Sequence, residues 1–370
     1  MTAMAGIAAR RLRAQRLTGE PFTSAVDAVR WLGAVQAQDH IGARWALGMR
    51  VGGATEDDLD RLFDDGAILR THVLRPTWHF VLPEDIGWLL RLTGPRVRAG
   101  LAGRWRRLEI DEQAVGRAGA AFVAALGGGR HRTRRELGEV LSRVGISPEG
   151  QRLPHFLLTA ELDGIIVSGP RRGKEHTYAL MAERAPAAVG MERGEAIAEL
   201  ALRYFRSHGP AQVQDFVWWS GLTVADTRRA IALVRPALER QVVEGKEYWF
   251  DPGAAPGPRK TEAPAAHLLP NFDEYTVAYR DRSAILHQDV PVDPTLFAFG
   301  SILSNVLTIG GQVRGGWRRR VGRGAMTAEI RLLAPLTAAE TAAVAAAVQR
   351  LGAYLQHPVD TAFAPSPGSA

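Results

Sequence analysis

Two glutamines, Gln36 and Gln38, stand two residues apart in the stretch GAVQAQDHIGARW (33–45), with Asp39 directly after them. A primary amide is neutral, accepting through its oxygen and donating through its nitrogen. A pair of amides can therefore orient a water molecule and offer modest dipolar stabilisation to a developing positive charge. The preceding TSAVDAVRWLGAVQAQ has apolar residues at helical spacing and reads as an amphipathic helix with the glutamines at its end. In a regular helix, residues i and i+2 point about 200° apart. The two amides converge on one atom only where the helix has ended or distorted, which Asp39-His40-Ile41-Gly42 encourages. The alternative is that one amide caps the helix end while the other is solvated.

Other chemistries find little support. The chain has no cysteine, which excludes thiolate metal sites, disulfides and cysteine nucleophiles. Its ten histidines are scattered singly, without an H-E-x-x-H pattern, so no metal site is expected. The Gly-Lys pairs at 173–174 and 245–246 are followed by glutamate rather than Ser or Thr, which removes the P-loop, and no G-x-S-x-G elbow occurs. GGGR at 127–130 follows an Ala-rich helix and reads as a helix end and loop. No cofactor is expected. Asp273 and Glu274, in LPNFDEYTVAYRDR, form either an acid/base couple or a strand-end anchor that binds backbone amides. In RPTWHFV, a strand puts Trp78 and Phe80 on one face and Thr77 and His79 on the other. His79 is thereby a candidate to line a site, with a core role for Trp78.

Charge indicates the partner. The net charge is +7, the isoelectric point is near 10.2, and lysine occurs only at positions 174, 246 and 260. The basic charge is thus almost all arginine, whose planar fork suits phosphates and base edges. RGGWRRRVGRG (314–324) is the densest basic stretch. As a strand it puts Arg318 and Arg320 on one face and Trp317 and Arg319 on the other. Arg314, Trp317, Arg318, Arg319 and Arg320 are candidates for DNA contact; a charged edge strand that resists sheet aggregation is the competing role. Arg171, Arg172 and Lys174 form a second basic tip, in PRRGK. The N-terminal MTAMAGIAARRLRAQRL lacks a cleavage-site pattern, and no apolar run approaches a membrane span. No membrane association is expected, and a cytoplasmic, nucleoid-associated monomer is.

At 370 residues, two to four domains are expected. Three stretches share an order of helices followed by a strand pair, which is that of a winged helix-turn-helix. The clearest runs from RGEAIAELALRYFRSHG through FVWWSGL and TVADTRRAIALV to ERQVVEGKEYWF. The second runs RTRRELGEVLSRVG, RLPHFLLTAELDGIIVSG, PRRGKEHTYALM; the first, looser, runs from TSAVDAVRWLGAVQAQ to THVLRPTWHFVLP. DPGAAPGPRKTEAPAAH reads as a linker. After it come β-rich sequence, HLLPNFDEYTVAY included, a helix TAAETAAVAAAVQRLGAYL with Thr337 and Glu340 in capping-box register, and a disordered tail APSPGSA. The expected fold class is α+β. Its expected domains are winged helices at 1–100, 101–190 and 191–252, then a β-rich part at 265–360.

AVQAQD, RPTWHFV, LTGPRVRA, AELDGIIVSGPR, FRSHGPA, FVWWSGL and LLPNFDEY occur in this order. With the tandem winged helices they resemble the AlkZ/YcaQ-like family of winged-helix DNA glycosylases over roughly residues 8 to 355. The resemblance implies a C-shaped arrangement of the winged helices around a DNA-sized channel. It also implies hydrolysis of the N-glycosidic bond of N7-alkylated purines in double-stranded DNA, bulky adducts and interstrand crosslinks included, for repair and self-resistance to an alkylating natural product. The family's catalytic motif maps onto Gln36-Ala37-Gln38, and the second glutamine follows the AlkZ branch, where the YcaQ branch has aspartate. Asp39 and Asp273 remain candidates to line the site. The competing class is a non-catalytic regulator built of tandem winged helices. Against it, the helices near PHFLLTAEL and TVADTRRAI are apolar, with few groups to read bases.

Overall fold

The computed structural model describes residues 3–186, 190–254, 265–286, 305–322 and 325–364. Most of the linker expected at 251–267 and of the tail expected at 364–370 lies outside the described residues, as do residues 323–324 of the basic hairpin. The fold is mixed α/β, with helices interspersed by short strand pairs. The chain gathers into two compact units: Met1–Leu59, Ala198–Trp219 and Val224–Ala370 form one, Asp60–Ile197 and Ser220–Thr223 the other.

In the second unit, three helix starts follow from local sequence. Pro83 opens Pro83–Arg107, where its missing N–H costs nothing. Asp111 caps Glu112–Leu126 through the Ala114 amide at 2.7 Å. Thr133 and Glu136 form a reciprocal capping box on Arg134–Arg143. These helices and Arg152–Leu162 bury Phe122, Leu126, Leu137, Leu141 and Phe156 in one core, with Ile166 from the following strand. Strands Ile166–Arg172 and Glu175–Leu180 form the expected basic-tipped hairpin, turning at Gly173 (φ +62°). A second hairpin pairs Leu69–Val73 with Thr77–Val81.

The first unit is built on a five-stranded sheet. Its order is Val359–Phe363, Met326–Leu332, Gln312–Val321, Val306–Ile309, Ala266–Leu269. The helix Ala338–Leu355, capped as expected by Thr337 and Glu340, packs against the Ala266–Leu269 edge. HLLPNFDEYTVAY departs from the β expectation: its strand stops at Leu269, and Glu274–Val277 is one helical turn. Asp273 is the cause, since its carboxylate accepts the Tyr275 amide at 2.8 Å and so nucleates a turn.

The helix expected to carry the glutamines is also shorter than its periodicity suggests. Ala25–Leu32 is capped by Ser24 and stops at Gly33, whose N–H reaches the Val29 carbonyl at 2.9 Å. Gly33 has φ +80°, open to glycine and costly for other residues, and it turns the chain into the short strand Val35–Gln36.

Candidate active site

Gln36 and Gln38 therefore lie on backbone that has left the helix. The strand ends at Gln36 and a bend takes in Gln38 and Asp39, so helical i, i+2 spacing does not govern the pair. Gln36 is buried and Gln38 is exposed. Asp39 then starts the helix His40–Gly48, accepting the Gly42 amide at 3.1 Å. A Cβ at Gly42 would come within 2.8 Å of the Asp39 carboxylate and 3.0 Å of Pro270, so this turn has no room for a side chain.

A buried polar network holds the backbone of Gln36. The Gln36 N–H donates to one Glu274 oxygen at 2.6 Å. Trp219 Nε1 donates to the other at 2.9 Å, and His208 Nε2 lies 3.3 Å from it. Burial pushes the His208 imidazole below its ordinary range, partly offset by Glu274. The Tyr204 ring stacks on His208 at 4.8 Å, while Tyr279 donates its hydroxyl to the His208 carbonyl. Gln15 joins Tyr279 to Arg50, and Arg50 closes the chain of contacts on Asp273.

Asp273 is thus a buried structural anchor: Arg50 and the Tyr275 amide occupy it. His79 likewise departs from the expectation that it lines a site. It is fully buried, its Nδ1 lies 2.9 Å from the Thr77 carbonyl, and burial holds the ring well below its ordinary pKa. Phe80 is buried too, so this strand is enclosed on both faces there. Trp78 is the less buried residue, with the Arg70 guanidinium 4.3 Å from its ring centre.

Asp39 borders a cleft of about 220 Å³ in the first unit, whose walls include Trp45, Trp317, Tyr354, Arg318 and Arg319. Both indoles are pinned by the same strand: Trp45 Nε1 donates to the Leu268 carbonyl and Trp317 Nε1 to that of Leu269. Asp39, Trp317, Arg318 and Arg319, well separated in sequence, are thus brought together. Arg318 and Arg320 share a face as expected, and both grip Glu329, holding its carboxyl at about 2. Arg314 is bound to Glu340 at 2.6 Å and is little exposed. In the second unit, Arg171 pairs with Asp60 and Arg172 with Glu136. Lys174 and Arg319 are exposed and make no ion pair among the described residues.

Sequence reasoning gave no role to Arg50, His208 or Trp219. FRSHGPA and FVWWSGL were visible as motifs, and a histidine ending an apolar helix is the signal that a buried polar partner awaits it. Among the described residues, no group of three or more His, Asp or Glu side chains is placed to hold a metal, and no helix is long and apolar enough to cross a membrane.

The fold agrees with the comparisons. The model of the DNA glycosylase AlkZ-like family matches residues 29–354, and the chain belongs to that family. An interstrand DNA cross-link repair glycosylase from Streptomyces sahachiroi is 27% identical over 283 residues, covering 71% of this chain and 74% of that protein. The solved structure of Streptomyces sahachiroi DNA glycosylase AlkZ superposes with a TM-score of 0.76 at 20% identity, over 98% of this chain and 100% of that one.

Proposed function

We propose that this chain hydrolyses the N-glycosidic bond of N7-alkylguanine in double-stranded DNA, bulky adducts and interstrand crosslinks included. Gln36 and Gln38 are its catalytic pair, and its task is repair and self-resistance to an alkylating natural product. The observation that supports this most is the end of the helix at Gly33, after which Gln36 lies on a short strand and Gln38 is exposed at a bend.

Alkylation at N7 makes guanine cationic, and the base is then already a good leaving group. No general acid is required. What remains is to hold a water near C1′ and to stabilise an oxocarbenium-like transition state, and two amide oxygens suit both tasks. A neutral pair favours labile cationic lesions and spares ordinary purines. A crosslinked nucleotide cannot rotate fully out of its duplex into a closed pocket. Gln38, exposed at the bend, meets that constraint. The segments 1–100, 101–190 and 191–252 serve as tandem winged helices that grip the duplex backbone, with 265–360 supplying the basic hairpin.

The test is incubation with a duplex containing N7-methylguanine, followed by alkaline cleavage of abasic sites. Strand breaks at the lesion are expected. Binding without cleavage, with preference for one palindromic sequence, would identify a regulator instead.

A further inference from the structure

We propose that Glu274 is a positioning residue for this reaction, acting through the backbone of Gln36; the proposal rests on the catalytic role assigned above to the glutamines. Three observations carry it. Glu274 is buried, 1% exposed, so its carboxyl group is a fixed element of the interior and no substrate reaches it. One of its oxygens takes the N–H of Gln36 itself, at 2.6 Å. The other is held by Trp219 Nε1 at 2.9 Å, beside His208 Nε2 at 3.3 Å.

The strand that carries Gln36 is only two residues long, Val35–Gln36, and Gly33 just before it is the most permissive backbone in the segment. So short a strand draws little rigidity from its own ladder. A bond from a buried carboxyl group to the Gln36 amide fixes the peptide plane from which that side chain departs. Glu274 is itself set in place, because it opens the single helical turn capped by Asp273, and Asp273 is locked by Arg50. Displacement of an oriented catalytic group by about 1 Å typically costs on the order of 10²-fold in rate.

A group that acts through Gln36 loses its effect when the Gln36 side chain is absent. The experiment is single-turnover excision of N7-methylguanine from a duplex by full-length wild type, Gln36→Ala, Glu274→Ala, Glu274→Gln and Glu274→Ala/Gln36→Ala. DNA affinity and Tm are measured in parallel. Expected is a loss of about 10²-fold in the excision rate for Glu274→Ala, with DNA affinity unchanged. Glu274→Gln, which keeps an oxygen for the Gln36 amide, should recover part of that loss. In the Gln36→Ala background, the cost of Glu274→Ala should shrink to under about 10-fold, the non-additivity of residues acting as a unit. Equal costs in both backgrounds, or a Glu274→Gln that folds but recovers nothing, would overturn the proposal. If Glu274→Ala does not fold, Glu274→Gln paired with its own Gln36→Ala double variant runs the same cycle. Full activity of Gln36→Ala would instead remove the catalytic glutamine on which the proposal stands. An inactive Gln36→Ala beside a fully active Glu274→Ala would sink this proposal alone.

Discussion

Arg50 and Asp273 meet fork to fork: Nη1 lies 2.9 Å from one carboxylate oxygen and Nη2 2.8 Å from the other, with both side chains out of contact with water. In sequence they are 223 positions apart. This pair ties the helix that follows the glutamines to the turn that presents Glu274. Removing one partner of such a pair leaves a buried charge uncompensated, at a cost of about 3–5 kcal/mol. Asp273→Ala should therefore lower unfolding free energy by that amount in chemical denaturation. An Asp273→Ala protein of wild-type stability that has lost excision would make Asp273 a catalytic group after all.

Acid should destabilise the first unit before its carboxylates titrate. His267 is buried, donates through Nε2 to the Leu17 carbonyl at 2.8 Å, and burial pushes its pKa down to about 4. The unfolded chain, with an imidazole pKa near 6.5, binds this proton first. The stabilisation is fully present above about pH 6.5 and drains away as pH falls to about 4, by on the order of 3 kcal/mol in all. Stability measured against pH should fall across that window, and His267→Gln should reduce the slope, with buried His208 and His79 accounting for part of what remains. An unchanged slope in the variant would show that His267 is not the group responsible.

The salt dependence of DNA binding should separate free from committed arginines. Each phosphate neutralised contributes about −0.9 to the log–log slope of affinity against salt. Arg319→Ala should reduce the slope by about one such unit if it faces DNA, because no acidic partner holds it among the described residues. Arg314→Ala should leave the slope alone, since Glu340 already holds that guanidinium. The opposite ranking would mean that the hairpin rearranges on binding.

On the catalytic role proposed for Gln36 and Gln38, lesion choice should follow from their neutrality. An amide pair supplies less barrier lowering than a carboxylate and its water. A deficit of a few kcal/mol corresponds to about 10²-fold or more in rate. Cationic N7-alkylguanine tolerates that deficit because its glycosidic bond is already activated; uracil and 8-oxoguanine do not. Excision assays should show release of N7-alkylguanine, bulky or small, and none of the two neutral bases. Gln38→Asp should retain activity on the cationic lesion. Efficient uracil release by the wild-type chain would mean that neutral amides are not the whole apparatus.

What the sequence disclosed was mostly local. Thr337 with Glu340 announced its helix start. The glutamine pair stood out by spacing alone. The helix before it ends earlier than apolar periodicity, which runs on past Leu32, suggests, because Gly33 at positive φ stops it. The network beneath was illegible for another reason. Arg50, His208, Trp219 and Glu274 are brought together only by tertiary packing, and no local pattern pairs positions so distant. Asp273 and Glu274 were read as one motif, yet the fold gives them separate tasks, one in the ion pair and one at the glutamine amide.

The most direct measurement is single-turnover release of N7-methylguanine from a duplex by wild type, Gln36→Ala and Gln38→Ala, with DNA affinity and Tm followed in the same preparations. Loss of one oriented group typically costs 10²–10³-fold in rate. Each variant should fall by about that factor while keeping wild-type affinity and stability. Wild-type excision by either variant would contradict the account and move the chemistry elsewhere, with Asp39, at the edge of the tryptophan-lined cleft, the next residue to replace.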